Sequence, residues 1–341
     1  MSPRLAAGKL PAAALAAIAA RLDRGDPRLV VGPRPGEDAA VIDVGDRLLV
    51  AAADPVTFAT DRIGSYAVDV NANDVAVLGA RPRWFVAVLL LPEASATTAM
   101  ADAIMADVAA ACDALGASVV GGHTEITVGL DRPIVVGQML GDVERSRLVS
   151  KARLAAGDRL LLTRGAAIEG TAILAREMRG ALAGRVSDTV LDRAAHLLAD
   201  PGISVVDAAL TAAAAADVHG LHDPTEGGVL TGLAELAAAA GLGLHVRADR
   251  IPVLPETAAI AAALAIDPLA LIASGALVVG VAPADEDRVV AALAARGVPA
   301  APVADVRPAA DGFTIERDGV VSPLALPARD EIARVFERDG G

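Results

Sequence analysis

Residues 61–83, DRIGSYAVDVNANDVAVLGARPR, constrain the fold more than any other stretch. The spacing predicts a helix of about five turns. Ile63, Ala67, Val70, Val77 and Leu78 would form its apolar stripe. Gly79 is a natural left-handed stop, and Pro82 follows just beyond it. Into this frame the sequence sets Asp69, Asn71, Asn73 and Asp74. Asn71 and Asp74 are three apart and share a face. Asp and Asn are unfavourable inside a helix because their side chains compete for the backbone. Two readings account for them. The polar face is solvated, or it presents a carboxylate and an amide to a hard cation, which takes oxygen ligands.

The 341 residues suffice for two domains. The segment 144–158 turns charged and irregular, which places the domains at 1–145 and 155–328. Both halves alternate strand and helix patterns, so each is an α/β or α+β domain. Only 2% of residues are aromatic, so the cores must be built from Ala, Val, Leu and Ile. A net charge of −13 argues against nucleic acid as a partner, although a polyphosphate can still bind if metal ions mask its charge. The single cysteine, Cys112, fits a reducing cytoplasm and reads as a small buried hydrophobe. Residues 12–20 lack a signal-peptide layout, and no run reaches the ~20 strongly apolar residues of a membrane helix. Only two lysines, Lys9 and Lys151, stand among 30 basic residues. Where arginine is used almost everywhere else, a surviving lysine hints that a compact ammonium is wanted.

Four acidic motifs lie at element edges. Gly36-Glu37-Asp38 enters a strand expected over 38–44. Asp54 follows a second strand over 47–53, paired with the first as a hairpin. Asn71 and Asp74 lie on the helix. Asp223-Pro224-Thr225-Glu226-Gly227-Gly228 follows a strand over 218–222, and taken alone it also reads as a plain helix cap. Residues 28–37 read as a loop, and the strand over 117–120 ends in Gly121-Gly122-His123-Thr124-Glu125. Carboxylates at separate strand and helix ends, interleaved with glycine turns, suit Mg²⁺ held with substrate phosphates. Glycine turns let backbone N–H groups approach phosphate oxygens. The sequence has no P-loop, no dinucleotide-binding fingerprint and no nucleophile elbow. His219 and His222 do not make a zinc set.

These motifs resemble the aminoimidazole-ribonucleotide-synthetase-like ATP-binding superfamily, whose members include selenophosphate synthetase, thiamine-monophosphate kinase and the hydrogenase-maturation carbamoyl dehydratase. The matching segments are GEDAA at 36–40, Asp54, VNANDVAVLGARP at 70–82, GGHTE at 121–125, HDPTEGG at 222–228 and IASGAL at 272–277. The last two look most like the hydrogenase-maturation branch. The resemblance implies a two-domain α/β fold whose N-terminal sheet pairs with a second copy in a homodimer. It implies ATP and Mg²⁺ bound between the domains, with Asp38, Asp74 and Asp223 as metal ligands. It places Lys9, Gly36, Glu37, Asp38, Asp54, Asn71, Asp74, Gly121, Gly122, His123, Thr124, Asp223, Thr225, Glu226 and Gly227 around the nucleotide. Asp54, His123 and Glu125 are the implied catalytic residues. The implied reaction activates an oxygen of a small-molecule substrate by phosphoryl transfer.

The departures are specific. The hydrogenase-maturation dehydratase has a tail ending in an acceptor cysteine, whereas this chain ends Glu337-Arg338-Asp339-Gly340-Gly341. Selenophosphate synthetase has a reactive Cys or Sec beside a lysine in its N-terminal loop, and here Lys9 has no thiol near it. His123 stands where related enzymes tend to carry an acid, so one metal contact is missing or moved to Glu125. The expectation is therefore an ATP-dependent enzyme with an unidentified acceptor. The alternative is a nucleotide-binding maturation factor that works with a protein partner and has no turnover.

Overall fold

The apolar alternation of the N-terminal half folds into a six-stranded sheet. The computed structural model describes residues 10, 12–22, 25–34, 36–57 and 62–339. The strands are β1 (Leu29–Val31), β2 (Ala40–Asp43), β3 (Leu48–Val56), β4 (Arg81–Pro92), β5 (Ser118–Thr127) and β6 (Ile134–Val143). They lie in the order β1-β2-β3-β6-β4-β5. Every neighbouring pair is antiparallel except β4 with β5. The helices of this half are α1 (Ala12–Leu22), α2 (Ile63–Ala76) and α3 (Thr98–Leu115). Alternate residues such as Val50, Phe85, Leu89 and Met139 are fully buried on the face that α2 covers.

The second half forms a seven-stranded sheet from β7 (Arg159–Thr163), β8 (Val218–His222), β9 (Gly243–Arg247), β10 (Val278–Val281), β11 (Ala300–Arg307), β12 (Phe313–Arg317) and β13 (Val320–Pro323). Its order is β13-β12-β9-β11-β7-β10-β8, antiparallel throughout except β9 with β12. Its helices are α4 (Ile168–Glu177), α5 (Arg179–Leu182), α6 (Asp188–His196), α7 (Val206–Ala215), α8 (Gly228–Ala239), α9 (Pro255–Leu264), α10 (Glu286–Ala294) and α11 (Glu331–Asp339). One apolar cluster runs from the α2 side of the first sheet into α7, α10 and the buried strands of the second. The two halves are therefore packed together through their cores. Among the described residues no helix is long and apolar enough to cross a membrane.

Helix α2 is the centre of this arrangement. It lies on β3, β4 and β6 and against α3 and α7. It comes so close to β6 that a Cβ on Gly137 would sit 2.5 Å from the Asn71 side-chain nitrogen. Asn71 and Asn73 are fully buried and Asp74 is 8% exposed, which rules out a solvated polar face. Nor is there an apolar stripe, because nearly the whole circumference is enclosed.

The structure corrects several boundaries. The helix ends at Ala76, and residues 81–83 already belong to β4, because a turn at Gly79 reverses the chain. Asp61 falls outside the described residues. The loop expected over 28–37 contains β1, an edge strand too short for periodicity to reveal. Asp54 lies inside β3, paired with Gly137, and not beyond its end. GGHTE is strand and not turn, because the parallel pairing of β4 with β5 runs on to Pro92 and Thr127. Gly122 serves that pairing: a Cβ there would lie 1.9 Å from the Ala87 carbonyl oxygen. Cys112 is buried as expected, and burial pushes its thiol up to about 11.

Asn73 shows why an amide is placed in an apolar helix. Its Nδ2 donates to the Ile203 carbonyl at 3.0 Å, and its Oδ1 accepts from the Val205 N–H at 2.8 Å. These bonds fasten α2 to the entry of α7 across the junction between the halves. Replacing Asn73 with Ala orphans both backbone groups, each costing roughly 1–3 kcal/mol when buried. Urea unfolding of Asn73→Ala should show a loss of about 2 kcal/mol or more. A loss within the noise of the extrapolation would contradict this role.

Candidate functional site

The site forms where the two sheets meet, and it is built from groups that could not be buried alone. Asp38 stands on the turn before β2, with 10% of its side chain exposed. Asp54 lies on β3 and Asp74 on α2. His222 ends β8, and Asp223 follows it into the loop that starts α8. A nitrogen of His222 and carboxylate oxygens of Asp38 and Asp223 all lie within 4.8 Å of one another. Asp74 is not part of that tight group, but its carboxyl feels the charges of Asp223, Asp54 and Asp38 and hydrogen-bonds with Asp54.

Asn71 positions Asp54. Its Oδ1 accepts from the Asp54 N–H at 2.8 Å, and its Nδ2 donates to the Asp54 carbonyl at 3.2 Å and to the Ala67 carbonyl at 2.8 Å. The amide thus acts as a missing strand partner for the Asp54 backbone. With all of these bonds made, Asn71 supports the carboxylates from behind.

Among the described residues one lysine lies between the acids. Lys151, only 2% exposed, places Nζ 2.8 Å from Asp38 Oδ2 and donates to the Gly36 carbonyl at 2.6 Å. Nζ is also 3.3 Å from His222 Nδ1. On the other side of the ring, His222 Nε2 faces Glu235 Oε2 at 3.1 Å. His222 Nδ1 also lies 3.3 Å from Asp38 Oδ1; burial and the Lys151 charge oppose protonation of the ring, but Asp38 and Glu235, one at each nitrogen, raise it above its ordinary value.

The electrostatics follow from this geometry. Burial would raise Asp38, but the Lys151 ammonium and the His222 ring together hold it well below the usual carboxylate range. Burial and the neighbouring charges of Asp223, Asp54 and Asp38 push Asp74 well above that range. Burial, with the charge of Asp38, raises Asp223 to about 7. Its Oδ2 is buried without a hydrogen-bond partner among the described residues. A hard divalent cation fits this donor set, since carboxylate oxygens converge and their repulsion calls for positive charge. His222 adds a nitrogen donor to an otherwise oxygen set.

The other expected site residues are distributed unevenly. Gly36 and Glu37 lie at the rim, with Glu37 paired to Arg34 at 3.4 Å. Gly121, Gly122, His123, Thr124 and Glu125 lie on β5, an edge strand exposed along most of its length. β5 stands three strands from β3, roughly 14 Å at the usual spacing. His123 and Glu125 share one face of it, 3.6 Å apart. Thr225 turns its carbonyl to the N–H groups of Gly228 and Ala273. The Gly227 N–H is taken by Asp330 Oδ2 at 2.6 Å, so it is directed at the C-terminal segment. Glu226 lies near Glu169, a buried acid raised to about 7 by burial and hydrogen-bonded to Ser274. Lys9 lies outside the described residues. Lys151 and His222 had no place in the expected site. The scarcity of lysine was the signal for Lys151, but it falls in a segment that reads as a linker.

The two-domain mixed α/β fold, with carboxylates gathered between its sheets, defines a recognisable class. Residues 36–143 match the family described as AIR synthase related protein, N-terminal domain, and residues 155–315 match its C-terminal domain. The chain belongs to the AIR synthase related family. A carbamoyl dehydratase HypE from Rhodobacter capsulatus is 34% identical over 268 residues, covering 76% of this chain and 74% of the relative. A chain of a solved HypE–HypF complex superposes with a TM-score of 0.74 at 20% identity, over 91% of this chain and 98% of that one. A HypE solved with ATP gives 0.71 at 23% identity, over 86% and 89%.

Stability should respond to pH with a definite sign. Asp223 and Glu169 are raised to about 7 and Asp74 is raised in the same direction, from values near 4 in an unfolded chain. Raised carboxyls stabilise the fold while protonated, so this contribution is complete below about pH 4 and is lost as pH rises through about 7. The melting temperature of metal-free protein should fall between pH 5 and pH 8, and Mg²⁺ should reduce the fall. A melting temperature that rises over this interval would contradict the assignment.

Proposed function

We propose that this protein is an ATP-dependent enzyme that activates an oxygen of a small-molecule substrate by Mg²⁺-assisted phosphoryl transfer. The observation that carries this reading is the convergence of Asp38, Asp223 and His222 within 4.8 Å beside Asp74 and Asp54, with two of the acids displaced upward. Asp38, Asp74 and Asp223 would hold the metal. Once bound, it would supply charge neutralisation for the phosphates, the main requirement of phosphoryl transfer.

The chain's own groups divide the remaining work. Lys151 keeps Asp38 ionised and ties the Gly36 turn to the site. Asp74, raised by burial and by the acids around it and hydrogen-bonded to Asp54, holds a proton that it can surrender when positive charge arrives. His222, fixed between Asp38 and Glu235, holds the Asp38 carboxylate in register. The burial of Asp38, Asp74 and Asp223 keeps water from the metal-facing side.

The active form in this proposal is a homodimer, and the domains are 1–145 and 155–328. β5 presents an unpaired edge with Val120 54% and Ile126 62% exposed, and Trp84 on the neighbouring strand is 41% exposed. An edge of this kind pairs readily with a second copy. Such pairing would cover GGHTE and give His123, Thr124 and Glu125 an environment that one chain does not provide. A stable monomer in sedimentation at micromolar concentration would count against it.

A second reading, a nucleotide-binding maturation factor without turnover, draws on the Lys151 ammonium, which already satisfies part of the charge that a metal would balance. A relative solved in a HypE–HypF complex makes a protein partner part of that reading.

Asp74→Asn separates these possibilities. It keeps the shape and removes a carboxyl from a repelling group, so the melting temperature should hold or rise slightly. ATP turnover with Mg²⁺ should fall by orders of magnitude. A variant that turns over ATP like the wild type would remove Asp74 from the site. A wild-type protein that binds Mg-ATP without turnover would favour the second reading.

A further inference from the structure

At the end of the first sheet remote from the acidic cluster, a cleft of about 230 Å³ is lined by Arg47, Arg81, Arg83 and Arg147. Asp142 and Glu144 also line it, and helix α7 closes it from the other half of the chain. Asp142 is shared by Arg47 and Arg83. Glu144 is shared by Arg47 and Arg147 at 3.9 and 3.7 Å. Four guanidinium groups thus face two carboxylates, a surplus of two positive charges. The Arg81 side chain forms no hydrogen bond or ion pair with the described residues, although its backbone belongs to the β4–β6 pairing. This concentration of positive charge stands out in a chain whose net charge is −13.

Each feature narrows the ligand. The surplus of two matches a dianion. Guanidinium forks match the paired oxygens of a phosphate better than a point charge does. The cavity lies below the ~300 Å³ at which pockets for drug-sized molecules begin, so the occupant is small. The site is separate from the acidic cluster. Arg47 stands at the start of β3 and Asp54 near its end, roughly 20 Å apart along the strand.

We propose that this cleft is a binding site for a small phosphate-bearing dianion, distinct from the nucleotide site. The guanidinium contacts would come from the first sheet and the turn after it, while Leu210, Ala213 and Ala214 of α7 wall the cleft without a charged group.

The test is calorimetric titration of the intact protein with inorganic phosphate, with and without Mg²⁺ and a non-hydrolysable ATP analogue. The expected result is one phosphate per chain at millimolar affinity or tighter, insensitive to the nucleotide. Arg81→Gln combined with Arg147→Gln should weaken it by about tenfold or more, because each lost charge-assisted contact carries that order of effect. Both side chains are exposed, so the melting temperature without phosphate should not change. If the double variant does not fold, Arg147→Gln alone gives the same reading from an exposed turn. Ribose 5-phosphate titrated in parallel separates the sources: tighter binding assigns the site to a phosphate monoester, and equal or weaker binding to the free ion. The proposal is overturned if phosphate does not bind at millimolar concentration, if the variants bind it like the wild type, or if the nucleotide abolishes it.

Discussion

Mutual repulsion among buried carboxylates sets the terms for the rest of this structure. Asp38, Asp74 and Asp223 are almost withdrawn from water, and Asp54 adjoins them. In a poorly solvated space such groups cannot all stay ionised without positive charge beside them. Among the described residues one ammonium, that of Lys151, stands beside them, and it stabilises chiefly Asp38. Asp74 and Asp223 are left to hold protons. In the proposed function, a cation from outside would relieve this strain.

Helix α2 makes the arrangement rigid by dividing its polar residues between two tasks. Asn71 and Asn73 spend their hydrogen bonds on backbone: Asn71 on the strand carrying Asp54, and Asn73 on the segment leading into α7. Asp74, from the same stretch, faces the other acids. The amides fix where the helix sits, and the helix fixes where the carboxylate points. A buried polar group in a helix is tolerable only when satisfied, and here the hydrogen bonds of the two amides position the carboxyl of the third.

Much of this was legible in the sequence, because cost leaves a trace there. Asp and Asn inside an apolar helix marked α2, and the order of GEDAA, VNAND and HDPTEGG pointed to the family. Asp38, Asp54, Asp74 and Asp223 do come together. What stayed hidden depends on long-range pairing. Nothing local shows that β5 continues through GGHTE, since two glycines look like a turn until β4 is seen beside them. Nothing local shows that the Gly227 N–H is claimed by Asp330, 103 residues away. Lys151 entered the site from a segment without periodicity, and His222 became part of it only through Asp38, 184 residues earlier. The arginine cleft draws on both halves and carries no motif.

The central claim is that the acidic cluster binds a polyphosphate only together with a divalent cation. Equilibrium titration of ATP into metal-free protein, and then into protein with excess Mg²⁺, tests it directly. The account predicts that affinity rises by at least about a hundredfold with Mg²⁺, since roughly 2.7 kcal/mol of charge repulsion would be relieved. Equal affinity in excess chelator would contradict it.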